Sequence, residues 1–332
     1  MKHISILVPE RAILGSLEGS RQLFTQVNGF CLQNGQVPLF DVQLVGIRRD
    51  TKVSGGLFTV NATHLLSEVE KTDLIIIPAI DGDLGESIEI NQDFIPWIKN
   101  QFDGGAEVAS LCLGAFLLAE TGLLAGRKCA THWLATAEFM QRYPDAQLLT
   151  EKVITEDTGI YCSGGAFSYL NLILYLIERY AGRQMALLCA KVFAIEIDRE
   201  TQLPFTMFRG QKSHEDEQVK LAQDYIEGHF RDKISIDQLC AMVAVGRRSF
   251  ERRFKKATNN TVLEYIQRVK IEAAKQQLEL EQKNVNEVMF DVGYVDQKTF
   301  RGMFKKVTGL SPLAYKNKFK NLTPVELQEN LN

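Results

Sequence analysis

Residues 291–315 read DVGYVDQKTFRGMFKKVTGLSPLAY, and much of this stretch matches the sequence fifty residues before it. The matching residues are Phe250 with Phe300, Phe254-Lys255-Lys256 with Phe304-Lys305-Lys306, and Thr258, Leu263 and Tyr265 with Thr308, Leu313 and Tyr315. Each copy follows a short run with helical apolar spacing and a tight connection that contains Gly246 or Gly293. A helix, a turn of about three or four residues and a second helix form a helix-turn-helix. The repeat therefore predicts two helix-turn-helix units.

The second helix of each predicted unit combines an aromatic face with basic faces. Phe250 and Phe254 are four residues apart, so they lie on one face and point to a core. An α-helix fits the major groove of DNA, where arginine binds guanine and lysine neutralises phosphate. Asp296 is in position to cap the second of these helices. The residues that we expect to contact double-stranded DNA are Arg247, Arg248, Arg252, Gln297, Lys298 and Arg301.

One long helix is predicted between the two units, over residues 262–280. A helix of this length spans roughly 28 Å, which is close to the ~34 Å between successive major-groove faces. One chain would then read two adjacent segments of the groove. The alternative is a helical protein-interaction domain whose basic faces are solvated.

The charge of the chain divides at the same place. The 332 residues carry a formal net charge of −3, but residues 1–211 hold 17 Lys and Arg against 24 Asp and Glu, whereas residues 233–320 hold 18 against 9. Such asymmetry indicates a nucleic-acid partner for the basic part; a solvated basic surface is the alternative. We predict a first domain over 1–208, a polar linker over 209–218, a second domain over 219–320 and a polar tail over 321–332.

Composition excludes several classes of protein. With 45% hydrophobic and 24% charged residues, the chain is neither collagen-like, nor a disulfide scaffold, nor largely disordered. No stretch approaches the ~18 apolar residues of a membrane helix, and the N-terminal residues lack a secretory layout. The six cysteines are scattered, without C-x-x-C or paired histidine spacing. We therefore expect a cytoplasmic protein with no metal, no cofactor and no membrane partner.

The first half alternates short apolar runs with helical stretches. Such alternation is typical of an open, mostly parallel sheet with helices on both faces. The predicted fold is thus an α/β domain followed by an all-α domain with two helix-turn-helix units. Strands are predicted over 4–8, 41–46, 74–78 and 107–111, helices over 19–34, 93–102, 113–124 and 166–180, and a hairpin over 152–156 and 160–162.

Cys112 lies at the predicted junction of a strand and a helix. Ser110 and Gly114 flank it, and small residues there permit the sharp turn that exposes a nucleophile above a sheet. A helix N-terminus also favours a thiolate, and His132 could act as its partner base. A buried, inert cysteine with a structural histidine is an equally good interpretation of this spacing.

Residues 219–319 resemble the DNA-binding domain of the AraC/XylS family over its whole length. The stretch 291–315 is similar to that family's signature. The first unit departs from it, because Gly246 stands where a Ser cap is usual and Asn259-Asn260-Thr261-Val262 replaces Gly-x-Ser-Pro. Gly at this position weakens helix capping slightly.

The first domain resembles the PfpI-type branch of the class I glutamine amidotransferase-like superfamily. The similar pieces are 109–124, Thr131-His132-Trp133, Ser163-Gly164-Gly165 and Gln202-Leu203-Pro204-Phe205. Fused to an AraC-type domain, it resembles the GlxA-type transcription regulators. The resemblance implies that Cys112 and His132 occupy the family's nucleophile and partner positions, and that the protein is a homodimer that reads repeated DNA sites.

Two departures from the enzymes of that superfamily imply a domain without catalytic activity. Ser16 stands near the position of their acidic residue, with Glu18 two positions away, and Pro78-Ala79-Ile80-Asp81-Gly82 replaces their Pro-Gly-Gly loop. The pocket would instead bind a small metabolite that tunes DNA binding, and acidic residues beside Trp133 would suit a cationic or amine-bearing ligand. The candidate ligand-binding residues are Cys112, His132, Trp133, Asp81, Gly82 and Ser16.

Two other functions remain open at this point. One is a PfpI-like cysteine hydrolase or glyoxalase that also binds DNA, and the other is a redox sensor that acts through Cys112. If the protein activates transcription, RNA polymerase is a further partner. The sequence leaves the effector and the operator undetermined.

Overall fold

A computed structural model describes residues 1–197, 201–212, 214–280 and 283–319. The chain forms two compact units that divide between Gln202 and Leu203. The predicted polar tail, 321–332, lies outside the described residues. In the part of the chain that the structure describes, no helix combines the length and the apolar character needed to cross a membrane.

The first unit is built on a seven-stranded sheet. Its strands and those of two small sheets are β1 (Lys2–Leu7), β2 (Phe40–Gly46), β3 (Asp50–Val53), β4 (Phe58–Asn61), β5 (His64–Leu65), β6 (Leu74–Ile77), β7 (Glu107–Leu111), β8 (Lys128–Cys129), β9 (Gln147–Leu148), β10 (Ile154–Asp157) and β11 (Ile160–Ser163). The main sheet has the order β10-β11-β7-β6-β1-β2-β5, and every pair in it is parallel except β10 with β11. The carboxyl ends of β1, β6, β7 and β11 therefore meet at one edge.

Helices cover both faces of this sheet. They are α1 (Leu14–Gln33), α2 (Leu84–Glu89), α3 (Phe94–Asp103), α4 (Gly114–Glu120), α5 (Thr136–Arg142), α6 (Tyr169–Ala181) and α7 (Arg183–Val192). Side chains of a strand alternate between the faces: Ile76 packs with α1 and α6, whereas Ile75 and Ile77 pack with α3 and α4. The predicted fold class is confirmed, including the antiparallel hairpin of β10 and β11.

The second unit is helical and contains two apolar cores. Its helices are α8 (Glu217–Gly228), α9 (Ile236–Met242), α10 (Arg247–Thr258), α11 (Val262–Leu280), α12 (Val285–Asp291), α13 (Gln297–Thr308) and α14 (Pro312–Phe319). One core joins α8, α9 and α10 to the first half of α11, and the other joins α12, α13 and α14 to its second half. The change falls between Val269 and Ile271. Each core holds one helix-turn-helix, α9–α10 or α12–α13, and α11 belongs to both.

The division between the units lies upstream of the predicted linker. Phe208, which the sequence interpretation places at the end of the first domain, packs in the second unit, with its ring 5.0 Å from that of Tyr265. The apolar run before residue 209 is only partly buried, and it carries no information on which core Phe208 joins. The segment 209–212 also belongs to the second unit.

Candidate functional site

The second helices of the two units, α10 and α13, present the same arrangement of side chains. Phe250 and Phe254 in α10, like Phe300 and Phe304 in α13, are buried in their cores. The opposite side of each helix is exposed. Seven basic residues of these two helices are exposed and have no ion-pair partner among the described residues, and they are Arg248, Arg252, Lys256, Lys298, Arg301, Lys305 and Lys306.

The side chain at the first position of α10, and that at the first position of α13, each contact the preceding helix. The Arg247 guanidinium lies 3.2 Å from the Asp237 carboxylate of α9 and 3.3 Å from Glu251. Gln297 occupies the equivalent place in α13 and donates to Asn286 of α12 at 2.8 Å. Both side chains are exposed, so these contacts orient them at the surface. DNA would have to displace or share these partners.

Capping differs between the two helices. The Asp296 carboxylate accepts the Thr299 N–H at 2.6 Å, so Asp296 is the N-cap of α13. Hydrogen bonds from the Thr299 hydroxyl and N–H lower the pKa of Asp296. Gly246 occupies the N-cap position of α10 and offers no side chain to the free N–H groups of the first turn.

Arg253, unlike Arg252, forms its contacts within the protein. Its guanidinium forms a bidentate pair with the Asp216 carboxylate, at 2.7 and 2.6 Å, and this pair lowers the pKa of Asp216. Asp216 is also the N-cap of α8. Arg253 therefore fastens α10 to α8 instead of facing the exposed side with Arg252.

A buried lysine lies where the two cores meet. The Lys270 ammonium is 3.4 Å from the carbonyl oxygens of Asp232, before α9, and Gly293, in the turn between α12 and α13. Burial lowers the pKa of Lys270. Gly293 has a φ of +76°, and a Cβ there would lie 2.2 Å from the Arg231 oxygen, so the close approach of the two cores requires glycine.

Residues 203–212, which we call the strap, lie along α11. The Phe205 ring is 5.7 Å from that of Phe319 at the end of α14, while Phe208 packs on Tyr265 near the start of α11. The Phe208 N–H donates to Glu272 at 3.0 Å. The strap thus contacts both helix-turn-helix cores.

In the first unit, Cys112 forms a sharp turn after β7. Its φ of +54° is in the left-handed region, which is strained for a residue with a side chain. Gly114 permits this turn, because a Cβ there would lie 2.5 Å from the Pro78 oxygen. Cys112 is 3% exposed, and burial raises the pKa of its thiol to about 12, against a weaker opposing effect of the Leu113 N–H. The predicted elbow is present, but its sulfur is a protonated thiol at neutral pH.

His132 adjoins the elbow through its neighbour. The Thr131 hydroxyl donates to the Cys112 carbonyl oxygen at 3.0 Å. The His132 Nδ1 accepts the Leu134 N–H at 3.2 Å, and its ring stacks on Trp133 with centroids 5.6 Å apart. Burial lowers the pKa of His132, which favours the neutral imidazole. Among the described residues, no hydrogen bond joins His132 to Cys112.

The loop after β6 is bonded to the loop after β1. The Ser16 hydroxyl donates to Ile13 at 2.8 Å and accepts the Ala79 N–H at 3.0 Å. The Asp81 N–H donates to the Arg11 carbonyl oxygen at 3.0 Å. Two N–H groups of the loop that replaces the enzymes' Pro-Gly-Gly are therefore already occupied.

Arg11 also occupies the acidic side of this loop. Its guanidinium pairs with Glu86 at 2.8 Å, and this pairing, with the charges of Asp81 and Asp83, raises the pKa of Arg11. An added Cβ on Gly82 would lie 3.1 Å from the guanidinium. The loop thus offers less negative charge to a cationic ligand than its sequence alone indicates.

Several buried polar groups have no hydrogen-bond partner among the described residues, and two of them belong to residues that are hydrogen-bonded to Cys112 or to Thr131. These two are the Ser163 hydroxyl and the Gln202 Oε1. The Gln202 Nε2 donates to the carbonyl oxygens of Thr131, Thr150 and Lys152, and the Ser163 carbonyl oxygen accepts the Cys112 N–H. Unpaired buried polar atoms are costly, and here they adjoin both Cys112 and Thr131. The described residues contain no group of side chains suited to hold a metal ion.

Two family descriptions match this chain. Residues 239–318 match a helix-turn-helix domain, and residues 34–179 match the DJ-1/PfpI family. An uncharacterized HTH-type transcriptional regulator in the cgkA 5' region of Pseudoalteromonas carrageenovora is 35% identical, over 33% of this chain and 69% of the relative. The chain belongs to the AraC-type helix-turn-helix regulators.

Longer matches join both units of this AraC-type chain to regulators of Pseudomonas aeruginosa. The HTH-type transcriptional regulator GbdR is 24% identical over 71% of this chain and 65% of its own length, and ArgR is 26% identical over 69% and 72%. The chain spans 65% of the length of the first of these relatives. A crystal structure of a transcriptional regulator protein from Vibrio parahaemolyticus shares the fold, with a TM-score of 0.52, 23% identity, and coverage of 57% of this chain and 98% of that one.

Several features of the AraC-type unit and of the candidate site in the first unit lie beyond the sequence interpretation. Arg11, Gln202, Lys270 and the strap act through contacts between segments far apart in the chain, which no local pattern reveals. Only Arg11 leaves a signal, since a charged residue in the loop after a buried strand lies at the edge of the sheet where loops meet.

Proposed function

We propose that the protein is a sequence-specific, DNA-binding transcription regulator that reads double-stranded DNA with α10 and α13. The observation that carries this proposal is the repeated pair of helices, each buried by two phenylalanines and exposing basic side chains without protein partners. Arg248 and Arg252 in α10, and Lys298 and Arg301 in α13, are the principal contacts. Arg247 and Gln297 join them at the first position of each helix.

Selection of genomic fragments by the purified protein tests this function. We expect enrichment of a motif with two half-sites about 10–11 base pairs apart, one for each helix-turn-helix unit. A variant that combines Arg252→Ala with Lys298→Ala should enrich no motif. If the wild-type protein enriches no motif, with and without cell extract as a source of effector, the proposal is wrong.

The first unit serves, in this proposal, as the sensor of a small metabolite at the carboxyl edge of the sheet. The site consists of Cys112, His132, Trp133, Asp81 and Gly82, and the Ser16 hydroxyl fixes its floor. Support comes from the strained elbow and from the unpaired Ser163 and Gln202 oxygens beside it, which a polar ligand could satisfy.

A thermal-shift screen of metabolites against the wild-type protein and Trp133→Ala tests the sensor. A ligand should raise the unfolding temperature of the wild type, and the shift should fall in the variant. Leu134→Ala is the control, because Leu134 is 58% exposed at the next position. Equal shifts in all three proteins would place the ligand elsewhere.

We infer that this unit has no catalytic activity of its own. A protonated Cys112 thiol is a poor nucleophile, His132 is not bonded to it, and the Ala79 and Asp81 N–H groups are occupied where the enzymes stabilise an oxyanion. Cys112→Ala should leave operator binding intact. Turnover of a glyoxal or peptide substrate that disappears in Cys112→Ala would instead establish the enzyme.

The regulator acts, in this proposal, as a homodimer and contacts RNA polymerase if it activates transcription. Support comes from the family resemblance alone. Sedimentation at micromolar concentration should give twice the chain mass. The mass of a single chain would contradict the dimer, and each operator would then need only one pair of half-sites.

A further inference from the structure

Gly302 occupies an unusual place on α13. It lies two residues from both Phe300 and Phe304, which are buried. Each residue of an α-helix turns by about 100°, so Gly302 lies on the side opposite to the core. This is the side on which Lys298 and Lys305 are exposed.

The fold does not require glycine at this position. An added Cβ on Gly302 would meet no atom within 4 Å, and its φ is not in the left-handed region. Glycine is the poorest helix former after proline, and alanine the best. Folding alone would therefore favour almost any other residue there.

The equivalent position of α10 is Arg252, fifty residues earlier, so the two helices differ at the centre of their exposed faces. In α10, a long cation projects between Arg248 and Lys255. In α13, a bare backbone lies between Lys298 and Lys305, which can each bind a phosphate.

We propose that Gly302 brings the backbone of α13 into direct contact with DNA, so that the second unit lies closer to the base edges than the first. The two flanking lysines hold the helix against the groove walls, and the missing side chain removes the obstacle between helix and bases. Gly302 is then a specificity-determining residue that acts by steric fit. This inference rests on the proposed DNA-binding function and concerns the same surface.

Gly302→Ala in the full-length protein separates the two roles that a glycine can have. The substitution should raise the unfolding temperature of the helical unit, because it favours the helix. It should also weaken binding to the fragment enriched most strongly by the wild type by about tenfold or more, as overpacking does. The dependence of affinity on salt should stay unchanged, since no cation is lost.

Gly228→Ala is the matched control. Gly228 is the last residue of α8, and an added Cβ there also meets no atom within 4 Å. This variant should have unchanged DNA affinity. Gly302→Arg, which copies Arg252, should bind the enriched fragment more weakly than the wild type.

Two results would overturn the inference while leaving the regulator function intact. One is a Gly302→Ala protein with wild-type affinity, and the other is a Gly302→Arg protein that binds the enriched fragment more tightly with a steeper salt dependence. The first would mean that the surface at Gly302 faces solvent in the complex, and the second that the DNA leaves room there for a side chain that contacts phosphate. Failure of the wild type to enrich any fragment would instead refute the proposed function itself.

Discussion

Arg252 and Arg253 are adjacent in the sequence but differ in what they can do. Arg252 is exposed without a partner among the described residues, whereas Arg253 binds Asp216 and so joins α10 to α8. A basic cluster read from sequence gives both the same role. Only the positions of α8 and of its N-cap separate them.

Replacing these two neighbours one at a time tests the distinction. Arg252→Ala should weaken binding to the enriched fragment by about tenfold and lower the slope of log affinity against log salt by about 1 if it contacts phosphate. Arg253→Ala should leave that slope unchanged and lower the unfolding temperature of the helical unit. Fluorescence anisotropy over a salt series and thermal unfolding measure the two effects. Equal slopes for both variants would contradict the assignment.

The buried thiol of Cys112 makes a second prediction at this scale. Since its pKa is raised to about 12, the reactive thiolate is scarce at pH 7, and its fraction rises about tenfold per pH unit up to that pKa. Alkylation by iodoacetamide, followed residue by residue with mass spectrometry, should be far slower at Cys112 than at the cysteine of a short, unstructured peptide at pH 7. Rapid labelling of Cys112 at that pH would revive the redox-sensor and enzyme hypotheses.

At the scale of elements, the two helix-turn-helix units share a core pattern but differ in their caps. Asp296 caps α13, and Asn284 caps α12 by accepting the Asn286 and Glu287 N–H groups. The N-cap of α10 is Gly246, with extended backbone angles and open space around it. A side-chain acceptor would fit there without displacing anything.

Gly246→Ser should therefore stabilise the helical unit by a few tenths of a kcal/mol, because Ser is a better N-cap than Gly, and Gly246→Ala should destabilise it. Urea unfolding followed by circular dichroism measures both. The pair controls for the added Cβ, which the two variants share. A destabilised Ser variant would show that the backbone at Gly246 cannot present a hydroxyl to the first turn.

Which elements the sequence reveals depends on how regular their burial is. The sequence predicts the helix 262–280 and the strand 107–111 with the observed bounds, because each carries an unbroken apolar pattern. Helix α1 begins at Leu14, five residues before its predicted start, since Ser16 is buried through tertiary hydrogen bonds. The strand β4 escapes prediction because it is mostly exposed and has no alternation to detect.

The features of the candidate site also divide into those that a local sequence pattern reveals and those that it does not. The exposed basic side chains of α10 and α13 follow from helical spacing, as does the elbow at Cys112 from its small neighbours. The raised pKa of Cys112, the bonds of Ser16 and the pairing of Arg11 depend on segments distant in the chain. No local pattern encodes them.

At the scale of the whole molecule, the strap gives the second unit a boundary that composition does not show. Phe208 packs on Tyr265 and under the Arg268 guanidinium, and its N–H binds Glu272. The residues between the two units are thus part of the helical unit's structure. A change transmitted along the chain from the first unit would reach α11 through these contacts.

Phe208→Ala should destabilise the helical unit by about 2 kcal/mol, the value of a partly buried aromatic side chain. Met207→Ala is the control, because Met207 is 46% exposed at the adjacent position. Hydrogen exchange should increase in peptides of α11 in the Phe208 variant and remain unchanged in those of β1, β6 and β7. Increased exchange confined to the strands would show that Phe208 stabilises the first domain and not the helical unit.

Helix α11 is 19 residues long and is the one element that both cores share among the described residues. Each residue inserted into it at the Val269–Ile271 junction would rotate one recognition helix by about 100° and move it about 1.5 Å relative to the other. One or two extra residues would turn α13 away from the groove that α10 occupies, whereas side chains on the outer surface of α11 can change freely. Over evolution, this helix should accumulate substitutions while its residue number stays fixed, so that its length acts as a ruler for the spacing of the DNA site.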